Sequence, residues 1–247
     1  MKENVLFKRF LGGVALVAAA AVAIGLSAGT ASAAGDRTWD GNVQGFVGVN
    51  KLNGSWNFSL YGPLTNTKMK LDLSTNVPVV GGTFDLNRKD KVGENWAVNP
   101  FMGIYYFSNS ASDSEAARIT GTTVATNSYK ATLSMLEADL GIKKLFDQGG
   151  DDLIPTIGVG FTVINASYSL ETTSTTVTNN VLTFKNVAKD KDDGFFYGAF
   201  GSAGLIFRPF SMLDIGADVK YTYTMQGLKD KYRVNGWTGG LTLGYHF

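Results

Sequence analysis

The chain has 247 residues, with 22 basic against 21 acidic side chains, 30 Gly, 5 Pro and no Cys. Without Cys it has no disulfide, thiol nucleophile, thiolate metal site or lipid-modified cysteine, and its balanced charge leaves no nucleic-acid footprint. Abundant Gly, Thr, Tyr and Phe favour strands and turns over helices.

Lys2, Lys8 and Arg9 precede an apolar run from about Phe10 to Leu26, and "SAGTASAAGD" follows. Ala31 and Ala33 form an A-x-A cleavage site, with Ala34 as its one-residue alternative, so a secretory signal peptide is predicted over 1–33. An uncleaved anchor is the competing reading. The remaining 34–247 carry 19 basic and 20 acidic residues once Lys2, Glu3, Lys8 and Arg9 are removed. No later run of 18 apolar residues suits a transmembrane helix, and the length fits one all-β domain.

"GNVQGFVGVNKL" is the first predicted strand. One more is expected within Thr67–Leu86, where Met69, Leu71 and Leu73 alternate with Lys68, Lys70 and Asp72. "VVGGTFDLN" competes for that place, its Gly81-Gly82 pair being a bulge or a hairpin. "WAVNPFMGIYYFS" comes next, weakened by Pro100. "NSASDSEAARITGTTVATNSYK" is expected as a long polar connection. In "TLSMLEADLGIKKLF", Leu136, Ala138, Leu140 and Ile142 alternate with Glu137, Asp139, Gly141 and Lys143.

"DQGGDD" is a short turn whose Asp147, Asp151 and Asp152 lack calcium-loop spacing. "DLIPTIGVGFTVINASYSL" sets Ile157, Val159, Phe161 and Val163 on one face, then shifts phase to Ile164, Ala166 and Tyr168. That shift predicts a bulge near Asn165. After the polar "ETTSTTVTNNVLTFKNVAKDKDD", "FFYGAFGSAGLIF" groups Phe195, Tyr197, Ala199, Ala203, Leu205 and Phe207, with Phe200 breaking the other face. The turn "RPFS" leads into "SMLDIGADVKYTYTM", whose seven odd positions from Leu213 to Met225 are apolar. Opposite them lie Asp214, Gly216, Asp218, Lys220, Thr222 and Thr224. Beyond "QGLKDKYRVNG", "GWTGGLTLGYHF" alternates in the same way.

Short turns alternate with long polar connections, and seven uninterrupted apolar positions suffice to cross an apolar band about 25 Å tall. The fold class predicted is all-β: a closed antiparallel up-and-down transmembrane β-barrel of eight strands, with ten as the alternative. Short periplasmic turns put both termini in the periplasm of an integral outer-membrane protein. Phe207, Tyr245 and Phe247 would form a lower aromatic girdle, and Phe195, Tyr221, Tyr223 and Trp237 an upper one.

The last two segments, "GADVKYTYT…GWTGGLTLGYHF", resemble the terminal hairpin of the small eight-stranded outer-membrane β-barrels of Gram-negative bacteria, those like the OmpA transmembrane domain and OmpX. The resemblance implies that Leu241, Leu243, Tyr245 and Phe247 form the signal read by the barrel-assembly machinery. It implies location and fold, and leaves anchor, adhesin, pore and enzyme open as activities. No periplasmic peptidoglycan-binding domain is expected.

If the polar faces point inward, the lumen holds Glu137, Asp139, Lys143, Asp214, Asp218 and Lys220, joined by Lys68, Lys70 and Asp72 if that segment is a wall strand. Eight strands enclose just enough room for side chains, and buried opposite charges must pair. The expectation is a lumen filled by ion pairs, with a narrow pore as the alternative. The sole His, His246, lies at the periplasmic end, away from the outer connections. No catalysis, cofactor or metal site is therefore expected. Expected partners are outer-membrane lipid, lipopolysaccharide, and the export and barrel-assembly machinery. The polar connections name no extracellular ligand.

Overall fold

The computed structural model describes residues 39–53, 56–61, 68–88, 98–146, 153–210, 212–225, 227–228 and 232–246. Ala31, Ala33 and Ala34 of the cleavage site, Asp147, Asp151 and Asp152 of the acidic turn, and Phe247 lie outside the described residues.

Twelve strands are described: β1 (Trp39–Leu52), β2 (Trp56–Tyr61), β3 (Lys68–Leu73), β4 (Asn76–Arg88), β5 (Asn99–Thr120) and β6 (Thr123–Leu145), then β7 (Leu153–Thr178), β8 (Val181–Phe210), β9 (Leu213–Thr224), β10 (Gly227–Leu228), β11 (Tyr232–Arg233) and β12 (Gly236–His246). Eight of them close an antiparallel barrel in the order β1-β12-β9-β8-β7-β6-β5-β4. β1 pairs with both β12 and β4, so the ring has no open edge. Eight is the predicted count, and the ten-stranded alternative falls away.

The wall strand expected within Thr67–Leu86 is β4 alone. "KMKLDL" pairs instead with β2 in a separate hairpin. Lys68, Lys70 and Asp72 therefore do not sit on the barrel wall, and their side chains lie outside the described residues. The alternation there is a strand signal, but one for a hairpin whose Leu71 and Leu73 are buried in the interior apolar cluster. Gly81-Gly82 is neither bulge nor hairpin; it pairs regularly with β1 and β5.

Two predicted loops are strands. β5 and β6 pair without a long loop up to Gly121-Thr122, and β7 and β8 pair up to Asn179-Asn180. Both asparagines have positive φ, 53° and 63°, the conformation a two-residue hairpin turn requires. Since β4 leaves β5 after Phe107, and β9 meets β8 only from Gly198, four strands continue past the closed ring as a wall, whose base packs against Leu71 and Leu73 of the β2–β3 hairpin. From Asn165 to Thr178 this wall rises roughly 30 Å above the closed ring.

The bulge expected near Asn165 is absent: Asn165 pairs in regular register with Leu136 and with Phe195. What changes there is the surroundings. On β6, Ile142, Leu140, Ala138 and Leu136 face outward, and Ser134, Thr132 and Lys130 continue that face. Inward, Lys143, Asp139 and Glu137 give way to Met135, Leu133 and Ala131. β7 repeats the exchange: outward Phe161 and Val163 are followed by Asn165 and Ser167, while inward Thr162 is followed by Ile164, Ala166 and Tyr168. The backbone keeps its period of two, and the apolar face changes sides. Below this level the outside is apolar and the inside polar, as in a sheet bathed in hydrocarbon. Above it the order is that of a protein in water.

Candidate functional site

The lower interior is a polar cluster. Lys220 of β9 places Nζ 2.7 Å from Asp139 Oδ2 and 3.1 Å from Glu137 Oε1, both on β6. The same ammonium lies 3.6 Å from the centre of the Tyr105 ring on β5, which stands opposite β9 in the eight-membered ring. One side chain thus reaches across the lumen. Thr162 and Thr222 hydroxyls donate to Glu137 Oε1 at 3.1 and 2.9 Å, so this buried carboxylate has neutral donors as well as a cation. Such satisfaction is what keeps a buried charge tolerable.

A second cluster sits lower. Arg208 donates from Nε to Asp214 Oδ1 at 2.7 Å and from Nη2 to Oδ2 at 3.1 Å, a two-point grip. Asn42 Nδ2 donates to the same Oδ2 at 2.8 Å. Lys143 stands 5.7 Å from the Phe101 ring centre. Between these clusters Gln44, Thr83, Lys143, Asp218, Lys220 and Thr242 line a cavity of about 10 Å³, room for about one water.

Of the six predicted lumen charges, Glu137, Asp139, Lys143, Asp214 and Lys220 are buried inside, and Asp218 is half-buried on the same side. The structure joins Lys220 to Glu137 and Asp139, and gives Asp214 to Arg208 rather than to a lysine. Arg208 went unread because it follows the apolar run of β8, yet one further step of two from Ile206 puts it inward. Phe200, which breaks the polar face in sequence, packs inward with its ring centre 5.8 Å from that of Phe101. Gly160 makes room for it: a Cβ there would come within 2.7 Å of the Phe200 ring.

Above the charges the interior is apolar. Phe107, Leu133, Met135, Ile164, Ala166 and Tyr168 pack with Leu71 and Leu73 of β3. Asn109 holds that hairpin's exit, donating to Ser74 O at 2.7 Å. A lumen largely filled by ion-paired side chains was expected; among the described residues the ion pairs lie below and an apolar cluster lies above. Higher still, inside the wall, Glu115 Oε1 accepts from Asn127 Nδ2 at 3.0 Å and from Tyr129 OH at 3.2 Å. Burial, then the Glu115 charge and its hydrogen bond, push the Tyr129 phenol above its usual value of 10.0.

Outside, Leu153, Ile157, Val159 and Phe161 on β7, Leu241 and Leu243 on β12, and Ile215 and Val219 on β9 are exposed. Phe195, Tyr223 and Trp237 mark the upper rim of this belt, with Tyr221 half-buried 4.8 Å from the Trp237 ring. Phe207 and Tyr245 mark the lower one. His246 is at the lower end of β12, where its backbone N–H donates to Met212 O at 3.0 Å. Among the described residues no group of three or more His, Cys, Asp or Glu could hold a metal ion.

No family model and no curated protein matches the chain. Among solved structures it is similar to Neisserial surface protein A, at 11% identity and TM-score 0.40 over 86% of this chain and 98% of that one. It is also similar to outer membrane protein OprG from Pseudomonas aeruginosa, at 13% identity and TM-score 0.44 over 86% and 98%. Ail, the attachment invasion locus protein of Yersinia pestis, solved with the heparin analogue sucrose octasulfate, aligns at 10% identity and TM-score 0.33 over 85% and 97%. The likeness is loose, and the barrel assignment rests on the strand pairing itself.

Proposed function

We propose that this chain is an integral outer-membrane β-barrel with a closed lumen, which anchors a β-wall at the cell surface for structural or interaction roles. The observation that carries this reading is the change of sides by the apolar face on β6 and β7, between Leu136 and Ser134 and between Val163 and Asn165. A barrel in water has no use for the exposed Phe161, Leu140 and Leu241, whereas hydrocarbon favours them. The belt on β7, from Leu153 to Val163, covers about 25 Å at usual tilt.

The start of β1 at Trp39 and the end of β12 at His246 lie at the end opposite the wall, the periplasmic side in this reading. Its partners are the export machinery, for the basic and apolar leader, and the barrel-assembly machinery, for the terminal pattern Leu241, Leu243, Tyr245 and Phe247. This reading gives the wall no His-dependent chemistry, since the sole His, His246, is at the opposite end. A narrow pore is the second reading, favoured by the water-sized space between Lys143, Asp218 and Lys220.

Fractionation and planar-bilayer recording test both readings. The refolded protein is expected in the outer-membrane fraction, with heat-modifiable mobility and no stable unitary conductance. Stable conductance would replace the closed barrel by the pore, and recovery with soluble periplasmic proteins would overturn both.

A further inference from the structure

The outer face of the wall is mainly polar for five rows above the belt, from Ser108–Ser134–Ser167 up to Ala116–Thr126–Thr175–Lys185, with Val187 of the fourth row its exposed aliphatic exception. The row above these is different. Val124 of β6 pairs with Val177 of β7, which pairs with Leu182 of β8, and Arg118 of β5 ends the row. A register shift between Thr176 and Val177 brings Leu182 into this row. Beside it, at the hairpin ends, Ile119 and Val181 are 60% and 63% exposed, and Leu182 itself is 57% exposed. The two tips are tied together by Asn179 N–H donating to Thr122 O at 3.1 Å. The wall thus ends in a joined apolar crown, separated from the membrane belt by a polar band.

We infer that this crown is a second lipid contact, which inserts into an anionic lipid surface apposed to the membrane that the barrel spans. The inference rests on the membrane reading of the belt. Water alone gives no reason for five exposed or half-exposed aliphatic side chains at the point farthest from the core. Charge selects the partner: Arg118 and Lys185 flank the crown, and the nearest described carboxylate on the outer face, Glu171, already holds Lys189 at 3.0 Å. Aliphatic side chains with flanking cations are the composition of a segment that sits in a headgroup layer. Shape points the same way. A protruding tip offers a wedge rather than the flat 800 Å² or so per partner that a stable protein interface needs.

The full chain, refolded into nanodiscs of zwitterionic lipid, is floated with vesicles of phosphatidylcholine alone or mixed with phosphatidylserine. Co-flotation is expected with the anionic vesicles, roughly tenfold weaker for Val177→Ser with Leu182→Ser, whose apolar area no longer leaves water. Arg118→Gln with Lys185→Gln is expected to abolish the preference for anionic vesicles. Heat-modifiable mobility checks that each variant still folds.

As a second readout, the Cys-free chain takes a single environment-sensitive dye at Leu182→Cys, expected to blue-shift with anionic vesicles. Flotation equal to that of empty nanodiscs, an unchanged dye spectrum, or full binding by the serine variant would overturn the inference. A crown that instead serves a protein partner would give that first negative result. Failure of the barrel to enter nanodiscs would overturn the membrane reading and this inference together.

Discussion

Lys220 Nζ lies 2.7 Å from Asp139 Oδ2 although β9 and β6 stand three places apart in the ring, so their ion pair crosses the lumen. Removing the cation leaves two carboxylates buried side by side without it. Lys220→Met is expected to cost about 3 kcal/mol or more of stability. Adding Glu137→Gln and Asp139→Asn to it should restore most of that loss, because no buried charge is then left alone. Urea unfolding in bilayers, followed by heat-modifiable mobility, checks both. A single variant as stable as the parent would mean that the pair contributes nothing to closure.

The barrel seam depends on a bare backbone. A Cβ on Gly48 would meet the Gly239 carbonyl oxygen and come within 2.7 Å of Gly240 Cα, both on the backbone of β12. Gly48→Ala should therefore force β1 and β12 apart, costing about 1–3 kcal/mol or preventing closure. Gly201 has nothing within 4 Å of such a Cβ, and Gly201→Ala should stay within about 0.5 kcal/mol. Folded fractions after refolding into lipid give the comparison.

Alkaline pH should loosen the wall. Tyr129, in the wall, keeps its phenol proton at a pH where the unfolded chain has begun to lose it, because burial and Glu115 raise its folded value above 10.0. Its contribution is whole below about pH 10 and is lost as pH rises through the raised value. Amide protection in the wall, taken against the intrinsic exchange rate at each pH from 8 to 11, should fall at the upper end. Tyr129→Phe should flatten that fall, at a cost of about 1 kcal/mol for the lost hydrogen bond. An unchanged profile in the variant would assign the alkaline effect elsewhere.

The barrel strands of the apolar belt were legible because one period governs each of them: the inward residues from Asp214 to Thr224 and the outward ones from Trp237 to Tyr245 stand as the alternation predicts. The phase change at Ile164 was legible too, but not its cause. A bulge and a change of solvent leave the same mark on hydropathy, and only the unbroken pairing of Asn165 with Leu136 and Phe195 separates them. The polar segments above hid their strands because serine and threonine in water look like loop. Asn179-Asn180 was the available signal for a hairpin. Within the lumen, the charges could be named, but not their partners: which lysine meets which carboxylate depends on shear across the ring, which no single strand encodes.

The claim on which the rest depends is that β7 leaves hydrocarbon between Val163 and Asn165. Single cysteines carrying spin labels, placed in turn at Ile157, Val159, Phe161, Ser167 and Ser169 in bilayers, test it by their access to oxygen and to a water-soluble nickel complex. The first three should meet oxygen and not nickel, and the last two nickel. Labels at Ile157 and Phe161 as open to nickel as the one at Ser169 would contradict the account.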